Sequence, residues 1–284
     1  MLEKKLIVNA DDCAYTKGIN QGIIEGHRRG IITSCSLMAN ADYFTDALER
    51  LQNYPNLSVG IHLALSNVKA TLPVNQVPLL VNKDNYFPKS PTMLIQRFMM
   101  FPVSLQQVKA ELSNQCAKII SYGIKPSHLD THKHFHLYMP LFKIMVQIAL
   151  EFNIKAIRIP YDSIQLEIRK PIRKFSKMIS AAIKIMQKRM KRILRANGIR
   201  YADNFFGFYY TGYLDEEVLI NLIRSLPVGT TELMCHPGFY TKELKLSQSR
   251  LKESRKKELG ALTSKFILEE IKKNNINLIN YHQI

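Results

Sequence analysis

Short apolar runs rich in β-branched residues recur at 6–8, 31–37, 57–63, 127–130, 156–159, 232–235 and 276–279, each with the length and composition of a buried strand. Between them, apolar positions return every three or four residues at 20–28, 43–51, 105–121, 140–152, 214–224 and 249–273, which predicts helices. This alternation predicts an α/β fold with a parallel sheet covered by helices. At 284 residues the chain has the size of a (β/α) barrel. An incomplete or distorted (β/α) barrel is the leading expectation, an open doubly wound sheet the alternative, and one domain over 1–284 holds it.

Two stretches break the rhythm. Residues 66–91, rich in Pro, Asn and Lys, read as a long loop of a length that is uncommon without a functional reason. Residues 164–200 read as an inserted basic amphipathic segment. From 168 to 200 there are twelve Lys and Arg and no acidic residue, with Phe175, Met178, Ile179, Ala182, Ile185 and Met186 at helical spacing. The whole chain has 40 basic and 23 acidic residues, a net charge of +17, so most of the surplus is local. An anionic membrane surface is the expected partner of this segment. The alternative is a solvated helix whose apolar stripe packs on the barrel. Met and Phe residues between 93 and 101 offer a second apolar contact or an ordinary buried helix. Nucleic acid is not expected, because Phe175 is the window's one aromatic and no recognition motif is present.

No apolar run reaches the roughly 18 residues of a membrane span, which excludes an integral membrane protein. The start lacks the pattern of a signal peptide, so a cytoplasmic location is expected, peripheral on the inner face of the membrane if the basic segment adsorbs there. Cys13, Cys35, Cys116 and Cys235 lie far apart and read as reduced thiols.

The chemistry gathers at strand ends, which a barrel of parallel strands delivers to one face. The first run ends at Asp11-Asp12, His62 lies in the third, and 126–136 holds His128, Asp130, His132, His134 and His136, four of the chain's eight histidines. His236 follows the sixth. Singly, each has an ordinary reading: a helix cap, a core histidine, a solvated loop. Together they offer one carboxylate and two imidazoles to a divalent cation with positions left open, and a zinc ion suits that set. A neighbouring carboxylate can take a proton from the attacking water, which favours hydrolysis.

The chain resembles the YdjC-like carbohydrate deacetylases over nearly its whole length. The resemblance rests on Ile7-Val8-Asn9-Ala10-Asp11-Asp12, Gly18-Ile19-Asn20 with Gly22-Ile23, Gly30-Ile31-Ile32-Thr33-Ser34, Gly60-Ile61-His62, the run from His128 to His136, and Glu232-Leu233-Met234-Cys235-His236-Pro237. It implies that Asp12, His62 and His132 bind the metal, magnesium by family habit, that Asp11 is the general base, and that His236 lies across the site. The family follows its two Asp with Phe-Gly, whereas this chain has Cys13-Ala14. Within the family the likeness is to the hopanoid-biosynthesis-associated deacetylases, carried by Leu72-Pro73, Val77-Pro78-Leu79-Leu80, His132-Lys133-His134-Phe135-His136, and the basic insertion leading into Asn204-Phe205-Phe206-Gly207.

The resulting expectation is a metal-dependent amidohydrolase that removes an acetyl group from an N-acetylated amino sugar carried on a lipid such as a glucosaminyl hopanoid. The alternatives are a deacetylase of soluble acetylated oligosaccharides and a basic membrane- or nucleic-acid-binding protein. In the hydrolase, Asp11 accepts the water's proton and His236, as imidazolium, protonates the departing amine. Arg158 orients Asp11, holds a sugar hydroxyl, or forms a buried ion pair. Asp130, His134 and His136 either support the ligands or are loop residues.

Overall fold

The computed structural model describes residues 3–102, 104–164, 166 and 177–284. Its sheet contains β1 (Lys4–Cys13), β2 (Ser34–Leu37), β3 (Ser58–Leu63), β4 (Leu129–Thr131), β5 (Asn204–Phe206), β6 (Gly229–Cys235) and β7 (Ile276–Leu278). The order is β4-β3-β2-β1-β6-β5, with every pairing parallel. β7 pairs with the first residues of β1, and β2 with its last. Buried on both faces, Leu6-Ile7-Val8 suit β1 to this central place.

The run at 156–159 forms isolated parallel bridges, Ile157 to Leu129 and Ala156 to Arg200. Pro160, which has no N–H to donate, ends it. These bridges link the β4 edge to the chain entering β5, and the curled sheet forms the incomplete (β/α) barrel expected.

Helices connect the strands. Thr16 caps Lys17–Arg29 by accepting the Ile19 N–H, and His27, Arg28 and Arg29 complement the other end of its dipole. The pattern at 249–273 divides into Glu253–Leu262 and Lys265–Lys273, where the Thr263 hydroxyl donates to the Leu259 carbonyl. Residues 66–90 contain no helix or strand. They are pinned to helix Ser104–Ser121 by buried Glu111, whose carboxylate accepts the Thr71 and Leu72 amides at 2.9 Å. Ser90 and Pro91 start helix Pro91–Met100, which exposes Met99 and Met100.

The basic helix spans Lys177–Ala196. Met190 and Leu194 are fully buried and Met186 and Ile193 partly so, whereas Ala182 and Ile185 are exposed. Among residues 182–196, whose side chains are described, the packed stripe runs from Met186 to Leu194; the side chains of Met178 and Ile179 lie outside that description. Phe175 lies outside the described residues, as do 165 and 167–176 of the expected insertion. Among the described residues no helix is long and apolar enough to cross a membrane.

Gly60 on β3 faces the His128 ring so closely that an added Cβ would overlap it. Gly60→Ala is therefore expected to cost about 1–3 kcal/mol, the scale of overpacking in a filled core. Urea denaturation measures it, and a loss below about 0.5 kcal/mol would contradict the close approach.

Candidate metal centre

Alternation along a strand would send Asp11 and Asp12 to opposite faces. The β1–β2 register shifts between Ala10 and Cys13, and Asp12 takes φ 65°, so alternation breaks and both carboxylates line one cleft. Ala14, at φ 82°, occupies backbone space that favours the glycine of the family pattern. The turn survives, its Ala14 N–H held by Asn20 Oδ1 at 2.6 Å.

Beyond β4, directly after His132, Lys133 and His134 also adopt left-handed conformations, φ 58° and 56°. His132 Nδ1 stands 2.9 Å from Asp12 Oδ1, and His62 Nε2, from β3, stands 3.4 Å from the same oxygen. Asp12, His62 and His132 each bring one ligand atom within 4.8 Å of the others, a candidate divalent-metal site. The His62 Nδ1 bond to Asp130 Oδ1, 2.7 Å, orients the ring and presents Nε2 to the cluster. Asp130 is held in turn by Ser36, which also receives Asn9 Nδ2.

A second group, Asp11, His62 and Asp130, also brings ligand atoms together. A guanidinium already sits among its carboxylates: Arg158 donates both Nη to Asp11 at 2.7 Å, Nη1 lies 2.6 Å from Asp130, and Nε is 2.7 Å from Glu232. Arg158 is thus the buried ion-pair hub, and it also fixes Asp11.

His236 lines the cleft, its N–H bonded to Glu258. His134 lines it too, beside Phe208, while His136 is wholly buried and bonded to Thr131 through Nδ1. Sequence reasoning missed Glu258 and Arg255. The latter reaches Asp12 Oδ2 from inside a run of basic residues that reads as a solvated helix face. The cleft, about 460 Å³, is also lined by Tyr15, Asn67, Thr211 and Gln248.

Charge follows these contacts. Burial pushes the Asp12 carboxyl up, but Arg255 and His132 hold it well below its usual range. Burial pushes His62 down, but Asp130 and Asp11 outweigh it and lift the imidazole to about 10. Burial dominates at His236, pushed down to about 4, so the resting ring is neutral at pH 7.

Burial also lowers His128 and His136 to about 3, while raising Asp162, Glu232 and Glu258 to about 7. Below their ordinary 6.5 the unfolded chain binds more protons at these histidines, and likewise at His134 and His236, which burial also pushes down, so their contribution is lost as pH falls until their folded values are passed. The three acids act oppositely, gaining stability as pH falls from 7 to their ordinary values of 3.8 and 4.5. Below about pH 4 this offset ends, and each buried neutral histidine costs about 1.4 kcal/mol per pH unit. Urea titrations of metal-free protein are expected to give a shallow stability curve between pH 6.5 and 4.5 and a steep loss below 4. A steep loss already at pH 6 would contradict these environments.

Residues 5–273 match the family described as YdjC-like protein. The chain belongs to that family. This YdjC-like chain is 31% identical over 283 residues to a carbohydrate deacetylase of Thermoanaerobacter pseudethanolicus, with 98% of each chain covered. It is 33% identical over 282 residues to a carbohydrate deacetylase of Clostridium beijerinckii, covering 99% of this chain and 100% of that one. Its fold matches the crystal structure of an Enterococcus faecalis V583 protein, described as a candidate cellobiose-phosphate cleavage protein, with TM-score 0.81 and 28% identity over 99% of this chain and 98% of that one.

Proposed function

We propose that the protein is a metal-dependent carbohydrate deacetylase that hydrolyses the acetamide of an N-acetylated amino sugar, in the first place a soluble oligosaccharide. The observation that carries this reading is the convergence of Asp12 Oδ1, His62 Nε2 and His132 Nδ1 in one cleft with a separately anchored Asp11. The curated relatives named as carbohydrate deacetylases support it.

The donor set fits a divalent cation: one carboxylate oxygen and two ring nitrogens, with one ring oriented by a carboxylate behind it. Two imidazoles favour zinc over the magnesium of the family habit. When bound, such an ion supplies Lewis acidity to the acyl oxygen and makes a water more acidic. Asp11 then takes the proton of the attacking water through Oδ2, which keeps a lone pair, while Arg158 holds both of its oxygens in place and Asn9 Nδ2 also donates to Oδ1. Because the resting His236 ring is neutral, it serves the leaving amine only after taking up a proton, and the proton that Asp11 removed from the water balances the one delivered to the amine. Products are acetate and the free amino sugar.

A lipid-borne sugar, such as a glucosaminyl hopanoid, is the second reading. It is favoured by a neighbouring groove of about 340 Å³ that includes Met93 and shares Asn67 and Gln248 with the cleft. Met99 and Met100 are exposed on the helix that carries Met93. Acetate release from N-acetylglucosamine oligosaccharides, compared with a lipid-linked acetylated amino sugar, separates the two.

The experiment for the main reading is Asp11→Asn. It is expected to bind metal as the unaltered protein does while turnover falls by roughly two to four orders of magnitude, the scale of a general base. Loss of metal in this variant would exchange the roles of Asp11 and Asp12.

A further inference from the structure

Arg255, on helix Glu253–Leu262, is 1% exposed. Its Nη2 donates to Asp12 Oδ2 and touches Ser249 Oγ at 3.5 Å, while Nε and Nη1 find no acceptor among the described residues. A buried guanidinium with two donors unsatisfied costs stability. Its value lies in what it does to Asp12. Both imidazoles address the other oxygen, Oδ1. The carboxylate is therefore divided, with Oδ1 facing the ligand cluster and Oδ2 facing Arg255.

The helix is held in place to do this. One turn beyond Arg255, Glu258 accepts the Gly212 N–H at 2.9 Å and the His236 N–H at 2.6 Å, and the Arg255 carbonyl accepts the Gly238 N–H at 3.2 Å. Three bonds from backbone N–H groups, two to the Glu258 carboxylate and one to the Arg255 carbonyl, thus tie the helix to its neighbours.

We propose that Arg255 is a positioning residue that keeps Asp12 a one-oxygen ligand, leaving a coordination position free for water or the acyl oxygen. The inference rests on the metal reading above. Without the guanidinium, a dication attracts both oxygens, and chelation closes that position.

This role has a sign that a merely structural one lacks. Loss of Arg255 removes a like charge beside the cation and frees a second ligand oxygen, so affinity rises, whereas a loosened site would bind more weakly. The test is calorimetric titration of metal-free protein with Co²⁺, together with the visible spectrum of the cobalt form. Arg255→Met is expected to bind Co²⁺ about three- to tenfold more tightly, through lost like-charge repulsion. Its visible absorption should weaken as coordination number rises, with kcat reduced and KM little changed. Arg255→Lys, whose ammonium can replace the single Nη2 contact, should restore the original spectrum and affinity. If the Met variant fails to fold, Arg255→Gln carries the same expectation, since a neutral amide holds Oδ2 too weakly against a dication. Weaker binding with an unchanged spectrum in the neutral variant overturns the proposal. Failure of the unaltered protein to bind cobalt removes the metal reading as well, whereas normal binding there with no spectral change in the variant removes this inference alone.

Discussion

Arg158→Met is expected to destabilise the protein by about 3–5 kcal/mol, the cost of breaking a buried ion pair from one side. Arg158 is inaccessible to solvent, and three buried carboxylates, Asp11, Asp130 and Glu232, lie 2.6–2.7 Å from its nitrogens. Removing the cation leaves these acids facing one another in a medium that screens them poorly. Such a loss is a large part of the 5–15 kcal/mol that holds most domains folded, and at about 2–4 °C per kcal/mol it lowers Tm by roughly 6–20 °C. Arg158→Lys should rescue little, because one ammonium cannot replace a fork spread over three acceptors. Mild acid should narrow the deficit, since protonating Glu232, already lifted to about 7, relieves the repulsion. Paired urea melts at pH 8 and pH 5.5 check both the size and the sign. A deficit under about 1 kcal/mol at pH 8 would mean that the three acids share protons without needing the guanidinium.

How much of this was legible in the sequence depends on how local each cause is. The strand ending in Asp11-Asp12 and the cluster from His128 to His136 are local patterns, and both lie where their spacing placed them. The bulge that turns both carboxylates into one cleft is set by pairing with β2 and by φ at Asp12, which no local pattern encodes. β5 escaped notice as a strand because Asn204–Phe206 holds no β-branched residue and only two apolar ones before Gly207, and the bridges of 156–159 depend on a partner at Arg200. Arg158 drew attention as a charge inside an apolar run. Arg255 did not, because its neighbours Ser254, Lys256 and Lys257 are polar and only tertiary packing separates it from them. The basic helix was legible in composition, but burial of Met190 and Leu194 depends on tertiary packing that the composition does not carry.

Asp12→Ala, His62→Ala and His132→Ala are each expected to abolish metal binding and deacetylation together, since each removes one of the three donors in the cluster. Asp130→Asn supplies the graded case. It keeps a group beside His62 Nδ1 but removes the charge that orients the ring, and such outer partners are worth about 10- to 100-fold in metal affinity. Metal binding should also depend on pH in a direction fixed by His62. In metal-free protein this ring keeps its proton up to about 10, so a cation must displace it, and affinity should rise as pH increases through neutrality. Asp130→Asn removes one of the charges that hold that proton, so its affinity should depend less steeply on pH than that of the unaltered protein. Calorimetric metal titrations at pH 6, 7 and 8, beside acetate release under the same conditions, decide the matter. Full metal occupancy in all three alanine variants would show that the cation sits elsewhere, and an affinity independent of pH would mean that His62 is not among its ligands.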